Sequence, residues 1–221
     1  MFSFLEKNPF FFAVAVFLVI AYAGVVEILP DFTNRARPVE GTKPYSVLQL
    51  AGKHVYMQES CNACHTQMIR PFKSETDRYG MYSLSGEYAY DRPHLWGSKR
   101  TGPDLMRVGN YRTSDWHENH MKEPTSVVPG SIMPAYKHLF DKNSDIDTAY
   151  AEALTIKNVF GVPYDQADMP KLGSFDMAKA EVNAEAAAIV EQMKDPEIKK
   201  AFERGEIRQI VALIAYLNSL K

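Results

Sequence analysis

Two thiols and an imidazole fall within five residues at Cys61-Asn62-Ala63-Cys64-His65, and these are the only cysteines in the 221-residue chain. The order Cys-x-x-Cys-His suits covalent haem attachment, and each fixed residue has its own job. The thiols of Cys61 and Cys64 can add to the two vinyl groups of a haem as thioethers, because a two-residue spacer puts both sulfurs under one porphyrin edge. His65, beside the second thiol, then lies under the iron and can supply its proximal nitrogen. Competing chemistries need features that the chain lacks. A redox-active Cys-x-x-Cys expects a thioredoxin-like βαβ pattern around it. A structural zinc site expects a further Cys/His pair at metal spacing. One covalently bound haem c is therefore the expected cofactor. Haem c is attached on the oxidising, outer side of energy-transducing membranes, so a bacterial periplasm is the expected compartment.

Other residues would complete such a site. Met133, in Pro129-Gly130-Ser131-Ile132-Met133-Pro134, sets a thioether on a constrained loop, which suits the sixth position of a low-spin electron-transfer haem. Met169-Pro170 is its rival, and filling of the core is the plainer role for any methionine. A ligating histidine usually donates its other ring N–H to a carbonyl. The Gly102-Pro103 turn offers one at Pro103, held by a ring that fixes its own backbone. Arg70 and Arg100 are candidates to pair with the haem propionates, with solvated surface arginines as the alternative. His117 and His120 stand three residues apart, but no Asp, Glu or Cys completes a metal set, so they read as surface histidines.

The elements that position these groups are legible as helices. Residues 8–26 carry no charged side chain and, extended through Leu29, are about long enough to cross a ~30 Å hydrocarbon core. Pro9 suits the start of this helix and Pro30 its end. The small-x-small run Ala21-Tyr22-Ala23 also fits a cleaved leader, but the only early cation, Lys7, is offset by Glu6, which favours a retained anchor. Arg35, Arg37 and Lys43 outweigh Lys7, so the positive-inside rule would place the bulk of the chain in the cytoplasm; the haem chemistry demands the opposite and is given priority. Glu27 reads as an interfacial carboxylate. The expected organisation is an anchor over 1–30, a Pro- and Arg-rich linker over 31–45 and a haem domain over 46–221.

Within the haem domain, Ser46–Ser60, Ser114–Met121, Asp147–Phe160, Asp176–Lys194 and Glu206–Leu220 have helical spacing, while Thr66–Lys99 is a long aperiodic insertion rich in aromatics. Such an insertion suits docking to another subunit or folding over the haem edge. Gly52 and Tyr56 stand four residues apart on the first of these helices. The net charge of -2 argues against nucleic acid as a partner.

The order of these features resembles a class I cytochrome c over roughly residues 46–220, which implies an all-α domain whose terminal helices cross beside the haem, Gly52 and Tyr56 meeting the helix of Tyr216. The whole chain more specifically resembles the membrane-bound mono-haem subunits (CcoO/FixO) of cbb3-type cytochrome c oxidases. The likeness rests on the single anchor, on Cys61 through Pro71, on Gly102-Pro103-Asp104-Leu105, on Trp116-His117 with His120, and on Pro129 through Tyr136. It implies an electron relay from a di-haem cytochrome subunit towards a catalytic haem b and haem–copper subunit. A free-standing anchored electron shuttle, a haem-based gas sensor and a peroxidase are the alternatives. The last two need a vacant or exchangeable sixth position, which Met133 would fill.

Overall fold

The computed structural model describes residues 3–33, without the side chains of 30–33, and residues 37–221. The chain divides into two compact units, Met1–Arg37 and Pro38–Lys221. Arg35, which contributes to the charge bias, lies outside the described residues.

The first unit is helical. A short α1 (Ser3–Lys7) leads into α2 (Pro9–Thr33), with the Asn8 side chain donating to the Phe4 carbonyl at 2.7 Å between them. Proline opens α2, where its missing N–H costs nothing. Within α2 the 21 residues Pro9–Leu29 are long and apolar enough to cross a membrane, at about 1.5 Å per residue. Phe10, Phe17, Ile20 and Tyr22 of this helix are all exposed. One expectation is corrected here: α2 does not stop at Pro30 but runs on to Thr33. Proline removes one hydrogen bond from a helix, yet its φ is itself helical, so an apolar helix can continue past it.

The second unit is built around one helix pair. α3 (Val47–Gln58) begins at a reciprocal cap in which Ser46 accepts from the Gln49 N–H and the Gln49 side chain accepts from the Ser46 N–H. It packs on the last helix, which is buried on every side from Ile210 to Leu217. Between the two stand α4 (Lys73–Tyr79), α5 (Ser114–Lys122), the single turn α6 (Pro124–Val127), α7 (Ile146–Phe160), α8 (Phe175–Gln192) and α9 (Pro196–Glu203), followed by α10 (Gln209–Ser219). α7 starts on an Asp145 cap and stops at Gly161, whose φ of +64° lies in the left-handed region. Ala149, Ala153 and Ile156 of α7, and Ala178, Val182, Ala186 and Ile189 of α8, recur every three or four residues and join the core.

The crossing of α3 and α10 depends on Gly52. A Cβ there would stand 1.9 Å from the Ala212 carbonyl oxygen and 2.8 Å from Tyr216 Cβ, so only glycine permits the approach. One turn on, the Tyr56 and Tyr216 rings meet edge to face with centroids 5.3 Å apart. The contact expected between Gly52, Tyr56 and the helix of Tyr216 is present.

Two helices go beyond the periodicity of the sequence. α9 follows an Asp195 cap with proline at its first turn, and α4 interrupts the insertion between Thr66 and Lys99. The rest of that insertion is irregular but tied down. Ile69 and Ser83 exchange bonds through the Ile69 N–H to Ser83 Oγ and the Ser83 N–H to the Ile69 carbonyl, and the Tyr88, His94 and Trp96 rings cluster within 4.7 Å. Among the described residues there is no strand, only an isolated bridge between Asn143 and Arg208.

Candidate haem site

The cysteine motif is set by how α3 ends. After the Glu59 cap, Ser60 takes a left-handed φ of 54° and turns the chain into a 3₁₀ turn over Cys61–Ala63. The Cys61 carbonyl accepts from the Cys64 N–H at 3.2 Å and from the His65 N–H at 2.9 Å, so the two thiols lie one turn apart. Burial pushes the Cys61 thiol up to about 12, with the Glu59 charge adding to it. A thiol so strongly held in its protonated form lacks the depressed pKa of a redox-active cysteine pair.

His65 sits, half-buried, against the Gly102-Pro103 turn. A Cβ on Gly102 would stand 2.3 Å from the His65 Cε1, so glycine alone leaves room for the ring. His65 Nδ1 is 2.8 Å from the Pro103 carbonyl oxygen. A carbonyl can only accept, so Nδ1 carries the proton and Nε2 keeps its lone pair. Burial also lowers the His65 pKa, against smaller opposing effects of Pro103 and Asp104, which favours the neutral ring a metal requires.

Pro103 is itself clamped. The Gly102 N–H donates to the Cys64 carbonyl at 3.0 Å and the Leu105 N–H to the Thr66 carbonyl at 2.8 Å, joining turn to motif on both sides of the histidine. Asp104, 1 % exposed, accepts from Thr66 Oγ1, the Met68 N–H and the Met106 N–H. Arg100 donates to Thr66 Oγ1 at 2.7 Å, to the Met68 carbonyl and Glu75 at 2.8 Å each, and to Asp104 at 3.3 Å. Arg70 binds the other face of Glu75. Both arginines singled out as candidate propionate partners are thus joined through one carboxylate. The Arg100 bond, aided by Arg70, holds the Glu75 carboxyl down at about 2 despite opposing desolvation.

A second polar network lies behind the motif. Lys53, 1 % exposed on α3, is paired with Asp91 and donates to the Pro93 carbonyl at 2.7 Å. His94 bridges Asp91 to the Gln67 carbonyl, and the Gln67 side chain bonds the Tyr216 hydroxyl at 2.9 Å. Burial alone would raise the Asp91 pKa, but the bonds and charges of His94 and Lys53 outweigh it and keep it below the ordinary carboxylate value. None of these residues except Gln67 falls in a motif. Lys53 and Asp91 are 38 residues apart, and only the fold joins them.

Met133 is half-buried against the core in the loop after Gly130, whose φ is +78°. That loop is fastened on both sides. The Tyr136 N–H donates to the Met121 carbonyl at 2.8 Å, and His138 Nε2 bonds Glu59, at the end of α3, at 2.8 Å. Burial raises the Tyr136 pKa, with the Cys61, Glu59 and Cys64 charges adding to it. Met169 sits elsewhere, in a loop wound on Asp165, which accepts from the Leu172 and Gly173 N–H groups and pairs with Lys157.

One expectation is overturned. His117 is not a surface residue: it is 2 % exposed, and neither ring nitrogen has a hydrogen-bond partner. His120 is half-buried with an unpartnered Nδ1 and stacks on Trp116 at 4.6 Å. Spacing along α5 does not show what covers that face.

The helical unit with its motif behind α3, its histidine on a proline carbonyl and its glycine-mediated α3–α10 crossing has the layout expected of a class I cytochrome c. The family model described as cytochrome c oxidase, mono-haem subunit/FixO matches residues 2–221, and the chain belongs to that family. It is therefore a subunit of a terminal oxidase complex, in a family whose members carry one haem. No curated protein matches the chain.

Proposed function

We propose that this chain is the electron-relay subunit of a cbb3-type oxidase, anchored by α2 with its second unit in the bacterial periplasm. Cys61 and Cys64 would hold one haem c as thioethers, and His65 Nε2 and Met133 would hold its iron. A haem so ligated supplies a one-electron couple with no open coordination position. The chain's own residues then serve to hold and orient: Gly102 gives His65 room, Pro103 fixes its tautomer, and Asp104 with Arg100 fixes Pro103. A di-haem cytochrome subunit would deliver electrons, and the haem b and haem–copper subunit would receive them.

The single observation that carries this reading is the 2.8 Å bond from His65 Nδ1 to the Pro103 carbonyl, which leaves the Nε2 lone pair free to bind a metal on a histidine that follows the two cysteines in the chain. The test is covalent attachment. After denaturing electrophoresis a haem-peroxidase stain should still mark this band, and Cys61→Ala with Cys64→Ala should abolish it. A parent band without stain would refute the reading. A free-standing anchored shuttle is separated by what co-purifies with the chain: haem b and copper in fixed proportion to haem c support the oxidase, and their absence supports the shuttle.

A further inference from the structure

Four buried side-chain polar atoms among the described residues lack a hydrogen-bond partner, and three of them, His117 Nδ1, His117 Nε2 and His120 Nδ1, belong to one turn of α5. Buried polar groups are almost always paired, so such a cluster points to a missing partner of the complementary kind. Elsewhere α5 is fully engaged. Ser114 accepts from Asn218 of α10 at 3.2 Å, Glu118 accepts the Lys194 and Asp195 N–H groups at 2.7 Å each, and the Met121 carbonyl takes the Tyr136 N–H. Only the two imidazoles are left over.

We propose that His117 donates its ring N–H to a propionate carboxylate of the bound haem, and so forms its anion site together with the Arg112 cation held over Trp116 at 4.2 Å, with His120 stacked on the same Trp116 beside them. This rests on the covalent haem reading above.

The location agrees. Attachment through Cys61 and Cys64 ties one edge of the macrocycle, so the carboxylates at another edge must be met by residues beyond His65 rather than beside the thiols. α5 is joined through Met121 to the Met133 loop, and that loop is joined through His138 to Glu59, two residues before Cys61. Burial lowers the His120 pKa, with the His65 and Arg112 charges adding to the effect. Burial likewise pushes His117 down to about 4, with His120 and Arg112 adding. Both rings are therefore neutral at ordinary pH; the His120 N–H goes to the Pro124 carbonyl, while His117 has one N–H to give.

The chemistry agrees too. A neutral donor and a cation suit a carboxylate that must stay ionised near a buried iron, without adding a second buried charge pair. Arg70 and Arg100 are the other cations near the motif, but their guanidinium groups are committed to Glu75, Asp104 and the Met68 carbonyl.

The test uses the full chain in detergent with its haem attached and reduced, and with ¹⁵N-labelled histidine. The His117 ring N–H proton, assigned by its loss in His117→Gln, should exchange slowly and show nuclear Overhauser contacts to the propionate methylene protons. In resonance Raman spectra the propionate bending bands should shift in His117→Phe, and His117→Gln, which keeps a donor, should shift them less. Contacts to water or protein protons only, with bands unmoved in a folded Phe variant, would overturn the proposal while leaving the haem reading intact. If the Phe variant does not fold, the parent protein's contacts alone decide. A chain that carries no covalent haem would instead sink the haem reading, and this proposal with it.

Discussion

Met133 and Met169 carry the same thioether in front of the same residue, proline, and differ only in what holds them. The Met133 loop is fastened to the end of α3 and to α5, whereas Met169 lies in a loop closed on Asp165. Met133→Ala should therefore leave the haem attached but let reduced protein bind carbon monoxide, while Met169→Ala should not; visible difference spectra decide, and the opposite pattern would move the assignment. Glu75 offers a pH-dependent test. Its folded pKa, about 2, is depressed from an ordinary 4.5, so the stability it contributes is fully present above 4.5 and is lost as pH falls through 2. Glu75→Gln should lower the melting temperature at pH 7 and flatten its acid slope between those values. Melts from pH 7 to 2 check this, and parallel curves for the two proteins would contradict it. The groups legible at this scale, Cys61, Cys64, His65 and Pro103, belong to short local patterns. The burial of His117 is not legible, because an i, i+3 pair says nothing of what covers it. The Lys53–Asp91–His94 network is invisible in the sequence because its members meet only through the fold.

At the scale of elements, helical periodicity and caps make most of the chain readable: Ser46 before α3, Gly161 after α7 and Ser174 before α8 all act where their residue types suggest. α4 and α9 escape such a reading because seven or eight residues give too few turns for a period to stand out, and α2 overruns Pro30 because apolar continuity outweighs one lost donor. The α3–α10 crossing gives the sharpest test. With Gly52→Ala, the new Cβ meets the Ala212 backbone, 1.9 Å from the oxygen and 2.6 Å from the carbon, and a backbone carbonyl cannot rotate away as a side chain would. Overpacking of this kind costs about 1–3 kcal/mol or more. At roughly 2–4 °C per kcal/mol for a unit of this size, the melting temperature should fall by about 2–12 °C. The covalent haem stain should survive. An unchanged melting temperature would mean that the two helices do not meet as described.

For the molecule as a whole, two units divide the work that the proposed relay requires. α2 has the length and composition of an anchor, and the second unit carries every residue assigned to the haem. The charges after α2 that are described, Arg37 and Lys43, run against a periplasmic placement. A reporter fused after Lys221 should nevertheless be active only outside the cytoplasm; activity only inside would reverse the topology.

The relay itself makes a further demand. On the proposed ligation by His65 and Met133 no coordination position would be left for oxygen, and keeping the same ligands in both oxidation states would limit structural change as the electron passes. The anchor then replaces diffusion by a high effective concentration at the acceptor. A soluble fragment from Pro38 to Lys221 should therefore bind haem and cycle between ferric and ferrous states without consuming oxygen when given a reductant. An oxidase complex lacking this subunit should lose cytochrome-driven turnover. Oxygen-electrode measurements on both preparations carry the test, since rapid oxygen reduction by the fragment would make it a catalyst, and full turnover without the subunit would make it dispensable.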